Sequence, residues 1–132
     1  MTPVSEILQN GSPFTYLAAM FGMLALVAAL VALIVSGVVK RRTVAIAIAF
    51  LALLASVAPI AIGVVGYGIG VSRTEQAVAF ADAEFADQLR ARGHEEAFGS
   101  IIIGGACTSV PLLLALGALA LAAMKRRASI AA

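Results

Sequence analysis

Residues 56–72 read Ser-Val-Ala-Pro-Ile-Ala-Ile-Gly-Val-Val-Gly-Tyr-Gly-Ile-Gly-Val-Ser. A proline and four glycines within seventeen residues would ordinarily mark a loop in a soluble protein. The surroundings point the other way. The stretch ends an apolar run from Thr43 to Val71 that contains no Asp, Glu, Lys, Arg or His. Two further runs of this kind extend from Phe14 to Val39 and from Ala97 to Met124. Each exceeds the ~20 residues that a helix needs to cross a bilayer. The chain is 62% hydrophobic and 12% charged, with a mean hydropathy of +1.06. A soluble domain of 132 residues could not cover such a composition with polar surface. The first run lacks a preceding basic residue and is too long for the apolar core of a cleavable signal, so it is read as a retained span.

Charge placement sets the expected topology. Lys40-Arg41-Arg42 follows the first run and Lys125-Arg126-Arg127 follows the third. Basic residues beside a span favour the cytoplasmic side. Three spans put both clusters on one side, which predicts N-out and C-in. The outer connection, residues 72–96, then carries Arg73, Arg90 and Arg92 against Glu75, Asp82, Glu84, Asp87, Glu95 and Glu96. It is rich in helix formers, and Val78, Ala81, Phe85 and Leu89 recur at helical spacing. Gly93 is the expected C-terminal stop of that helix. The fold class is therefore all-α integral membrane: one domain over 1–132, with spans at about 14–39, 43–71 and 97–124. An amphipathic extracytoplasmic helix, continuing from the second span or lying on the outer surface, joins spans two and three.

Val65-Gly66-Tyr67-Gly68 also spells the core of a potassium-channel selectivity filter. A filter needs an extended strand after a re-entrant pore helix. A re-entrant 43–70 would place the two basic clusters on opposite sides of the membrane, against the charge rule. Helix packing explains the glycines better. In the second span Ala45, Ala49, Ala52, Ser56, Pro59, Gly63, Gly66 and Gly70 recur in alternating steps of four and three. That is the period of a packing seam, and small residues let helices approach closely in lipid. The first span has Ala18, Gly22, Ala25, Ala29, Ala32 and Ser36 in the same rhythm. The third has Ala97, Ser100, Gly104, Cys107 and Pro111. Kinks are expected at Pro59 and Pro111, with Ser56, a neighbour or water meeting the carbonyl that Pro59 frees.

Three segments resemble the MotA/TolQ/ExbB proton-channel family. N-G-S-P-F-T-Y before the first span is similar to that family's Gly-x-Pro-x-x-Tyr opening. A-P-I-A-I-G-V-V-G-Y-G-I-G is similar to its second-span Ala-Pro and glycine pattern. H-E-E-A-F-G-S-I-I-I-G-G-A-C-T-S-V-P resembles its third-span entry. The resemblance implies a homo-oligomeric ring in the bacterial inner membrane, surrounded by lipid, around a single-span partner that brings an intramembrane aspartate. The family's large cytoplasmic domain is reduced here to Lys40-Arg41-Arg42. The resemblance makes Glu96, at the head of the third span, a proton-entry candidate.

Ser100, Thr108 and Tyr67 are further proton-path candidates. Each also has an ordinary reading: Ser and Thr hydroxyls bond back to their own helix, and Tyr sits at interfaces. His94, beside Glu95 and Glu96, is either a pH sensor or a solvated loop residue. No span contains an Asp, Glu, Lys, Arg or His, so a proton carrier within the membrane would come from another chain. No catalytic constellation, metal-ligand cluster, cofactor motif or nucleic-acid-binding pattern stands out, so no enzyme is expected. Two readings remain open: a ring subunit of a proton-driven energiser, and a non-conducting membrane scaffold or accessory subunit.

Overall fold

A computed structural model describes Ser5 and residues 12–131, with side chains described as far as Lys125. Every regular element among these residues is an α-helix: α1 Pro13–Val38, α2 Arg42–Phe80 and α3 Ala83–Ala131. All three are long and apolar enough to cross a membrane. The helices have 26, 39 and 49 residues. At 1.5 Å per residue, α2 and α3 run well past the ~30 Å hydrocarbon thickness of a bilayer. The burial pattern inverts that of a soluble protein. Small residues fill the interior, while Met23, Leu24, Ile34, Leu51 and Leu113 are exposed. Such a surface calls for lipid or apolar protein around it.

The V-G-Y-G stretch lies inside α2 with helical backbone, so it does not adopt the extended form a filter requires. The helices run on through Pro59 and Pro111. The hydroxyl of Ser56 donates to the Ala52 carbonyl at 2.7 Å. It therefore does not serve the Ala55 carbonyl, the one that Pro59 leaves without its usual donor.

The packing forms two compact units, each built from a segment of all three helices. One comprises Met1–Ala19 and Pro59–Gly105; the other comprises Met20–Ala58 and Ala106–Ala132. The second unit is cored by Ala29, Ala32, Ala49, Ala52, Ala115 and Ala118, with Leu33, Ile48, Leu53, Leu114 and Leu119 packed around them. Gly22 meets Cys107 there: a Cβ added to the glycine would lie 2.5 Å from the cysteine Cβ. The basic residue Lys125 closes the end of α1, its ammonium donating to the carbonyls of Val39 at 2.8 Å and Gly37 at 3.4 Å. Those are carbonyls that a helix end leaves unpaired, and a cation there also suits the helix dipole.

In the first unit α2 and α3 run antiparallel with their backbones in close contact. A Cβ on Gly104 would lie 2.6 Å from the Pro59 carbonyl oxygen, and one on Gly63 would lie 2.5 Å from that of Ser100. Gly66 abuts Phe14, and Gly70 abuts Ala97. No described glycine has a positive φ. These glycines therefore supply space rather than backbone freedom.

Residues 72–96 do not form a separate helix. They continue α2 to Phe80, turn at Ala81-Asp82, and begin α3. The expected stop at Gly93 is absent: α3 runs on through that glycine, whose missing side chain leaves room for Thr74 of α2. The chain breaks instead at Asp82, whose carbonyl accepts from the N–H groups of Phe85 at 2.9 Å and Ala86 at 3.1 Å. Asp is a favoured residue at a helix start, and Glu84 in the first turn suits the dipole.

Candidate functional site

The seam residues named from the sequence lie as follows. Ala18, Gly22, Ala25, Ala29, Ala32 and Ser36 of α1 are buried, as are Ala45, Ala49, Ala52, Ser56, Pro59, Gly63 and Gly66 of α2. Gly70 is half-buried. On α3, Ala97, Ser100, Gly104 and Pro111 are buried, while Cys107 is half-buried and its neighbour Thr108 takes the inward position. The inward row of α3 also includes Ala115, Ala118 and Ala122.

Of the polar candidates, Ser100 is the best embedded. It is fully buried in the first unit. Its hydroxyl lies 3.1 Å from that of Ser12 and 3.3 Å from that of Thr15. Thr15 is also fully buried, and Ser12 is part-buried. Each hydroxyl both donates and accepts, so the three can form a chain from the part-buried head of α1 into the interior. Two elements position it. Ser12-Pro13 starts α1 in the usual way, with a polar residue at the cap and Pro at the first helical position. Gly66 lies opposite: a Cβ added there would press on the Phe14 side chain and lie 3.3 Å from the Ser100 hydroxyl oxygen, so a larger residue would push first on the head of α1.

Nothing in the sequence marks Ser12 as a partner of Ser100, but a signal for Thr15 exists. The α1 seam Ser36, Ala32, Ala29, Ala25, Gly22, Ala18 extends one further step of three to Thr15. Glu96 is exposed and lies one helical turn before Ser100 on α3. Tyr67 is half-buried, with its ring edge-on to Phe98 at 6.4 Å and 77°. That contact gives Tyr67 a packing role. Thr108 belongs to the second unit.

A second polar cluster joins α2 to α3 at the hairpin around Ala81-Asp82. Arg90 donates from Nε to Glu75 Oε1 at 3.1 Å and from Nη2 to Oε2 at 3.3 Å. His94 Nε2 lies 3.2 Å from Glu75 Oε1, and Asp87 pairs with Arg90 at 3.8 Å. The hydrogen bond from Arg90, helped by its charge and then by His94, holds the Glu75 carboxyl below its ordinary 4.5. A lowered carboxyl pKa stabilises the folded form above the unfolded value, and this contribution disappears as pH falls through the folded value. Hydrogen exchange at the hairpin should therefore accelerate on acidification through and below the ordinary carboxylate range. Glu75→Gln should flatten that dependence; an unchanged profile would show that the pair does not clamp the hairpin.

Among the described residues, no group of three His, Cys, Asp or Glu could hold a metal ion. Compared with known proteins, the chain matches no family model, no curated protein and no solved structure.

Proposed function

We propose that this chain is a ring-forming subunit of a proton-driven energiser in the bacterial inner membrane. It acts with a single-span partner that carries the titratable acid, and it sits N-out and C-in. The observation carrying this reading is the hydroxyl chain Ser12–Ser100–Thr15. It places exchangeable protons in the otherwise apolar interior of the first unit, one turn beyond exposed Glu96. The spans hold no Asp, Glu, Lys, Arg or His of their own. Hydroxyls can pass a proton along but do not store one at neutral pH, so the acid comes from the partner. The inside-out burial of the three helices gives each subunit an apolar exterior suited to neighbours and lipid.

The second reading, a non-conducting scaffold, is favoured by the same cluster seen as glue. Ser100 already has hydroxyl partners on α1, and such bonds tie membrane helices together without conducting anything. Proton flux separates the two. The complex is isolated with its native partner in mild detergent and placed in liposomes bearing a pH-sensitive dye. The energiser reading expects flux under a proton gradient, reduced tenfold or more by Glu96→Gln and by Ser100→Ala. Wild-type complex that carries no flux rejects it and leaves the scaffold.

A further inference from the structure

The six cations of the two basic clusters have no acidic partner nearby in the sequence. No Asp or Glu occurs between Glu6 and Glu75, or after Glu96. The structure sharpens this imbalance in the second unit. Lys125 is committed to the carbonyls at the end of α1. Arg42, the first residue of α2, has its Nε buried without a hydrogen-bond partner among the described residues. Lys40 and Arg41 beside it are exposed. A buried guanidinium nitrogen left unsatisfied is costly, and an unopposed row of cations attracts anions. The turn borders two apolar helices that are long enough to span, so it lies at headgroup depth when they are inserted. The anions available at that depth are lipid phosphodiesters, and basic clusters beside a span attract them.

We propose that the turn Lys40-Arg41-Arg42 is a binding site for anionic phospholipid headgroups, with the Arg42 guanidinium as its inner contact. The site requires membrane insertion of the helices, but neither ring assembly nor proton flux. Its failure would therefore leave the energiser reading untouched, and the reverse also holds.

The test is thermal unfolding of the full chain in neutral detergent micelles doped with phosphatidylglycerol or with phosphatidylcholine. Micelles expose both ends of the protein, so the result does not depend on orientation. Phosphatidylglycerol should raise the unfolding temperature progressively with its mole fraction, as a ligand of the folded form does. Phosphatidylcholine should not. Each cation near a charged surface contributes a factor of about five, so K40Q/R41Q/R42Q should weaken the phosphatidylglycerol response about a hundredfold. Arg92→Gln removes one charge from the α2–α3 hairpin and should leave the response intact. An equal response to phosphatidylcholine, a response surviving the triple substitution, loss of the response in Arg92→Gln, or the same stabilisation by inorganic phosphate would each overturn the proposal. Native mass spectrometry of the wild-type chain gives an answer independent of any variant: retained lipid should be anionic, and equal retention of zwitterionic lipid overturns the site.

Discussion

Gly104→Ala should destabilise the protein by about 2 kcal/mol, and Gly63→Ala by a similar amount, although each adds a single methyl group. The reason is what those methyls would meet. On Gly104 the new Cβ lies 2.6 Å from the Pro59 carbonyl oxygen and 3.2 Å from the Ile60 Cα. On Gly63 it lies 2.5 Å from the Ser100 carbonyl oxygen. These are backbone atoms, which cannot rotate aside as a side chain can, so α2 and α3 must separate. The two sites are reciprocal, because each added Cβ approaches the other glycine's Cα, at 3.3 and 3.4 Å. One substitution therefore forces most of the separation that the other needs. The double variant should lose clearly less than the sum of the singles. Gly68 is the control. Nothing lies within 4 Å of a Cβ added there, so Gly68→Ala should be neutral or gain up to about 1 kcal/mol from helix propensity. Reversible unfolding in mixed micelles measures all four variants. Equal effects at Gly68 and Gly104 would refute close backbone contact as the role of these glycines.

Ser100→Ala should cost about 0.6–2 kcal/mol, the span between average interhelical bonds in a membrane protein and those in model peptides. It removes the partner of Thr15, which is fully buried, and of Ser12, which is only part-buried. The loss should fall mainly on Thr15. Thr15→Val alone should be milder, since Ser100 retains Ser12. Adding Thr15→Val to Ser100→Ala should cost little more and can recover stability, because it removes the orphaned hydroxyl. Strict additivity of the two substitutions would show that their hydroxyls do not interact.

Much of the fold could be read from the sequence because small residues in a lipid-soluble helix carry positional information. The alternating steps through Ala45, Ala49, Ala52, Ser56, Pro59, Gly63 and Gly66 mark the buried row of α2, and Ala18 to Ser36 mark that of α1. The seam on α3 was harder to follow. Between Gly104 and Pro111 a small residue stands at both 107 and 108, and composition alone does not choose between them. The structure turns Thr108 inward and sets Cys107 against Gly22. The connection does continue from α2, as one of the two expected arrangements has it, but its expected stop at Gly93 fails for a different reason. Gly93 looks like a terminator in one dimension, but its function there is to admit Thr74 from another helix. Ser100 was visible as a polar residue on a seam. Thr15 is legible only as one more step of the α1 seam, and the link of Ser12 and Thr15 to Ser100 is not, because it spans more than eighty residues of sequence and depends on how α1 docks.

The buried rows of alanine and glycine carry a thermodynamic consequence of their own. Neither residue has a rotatable side-chain torsion to freeze, so bringing these faces together costs almost no side-chain conformational entropy. The same property removes any slack. A core of leucines can exchange rotamers around an intruding atom, whereas Ala29, Ala49 and Ala118 have none to exchange. Helices joined in this way can accommodate a misfit only by moving as rigid bodies.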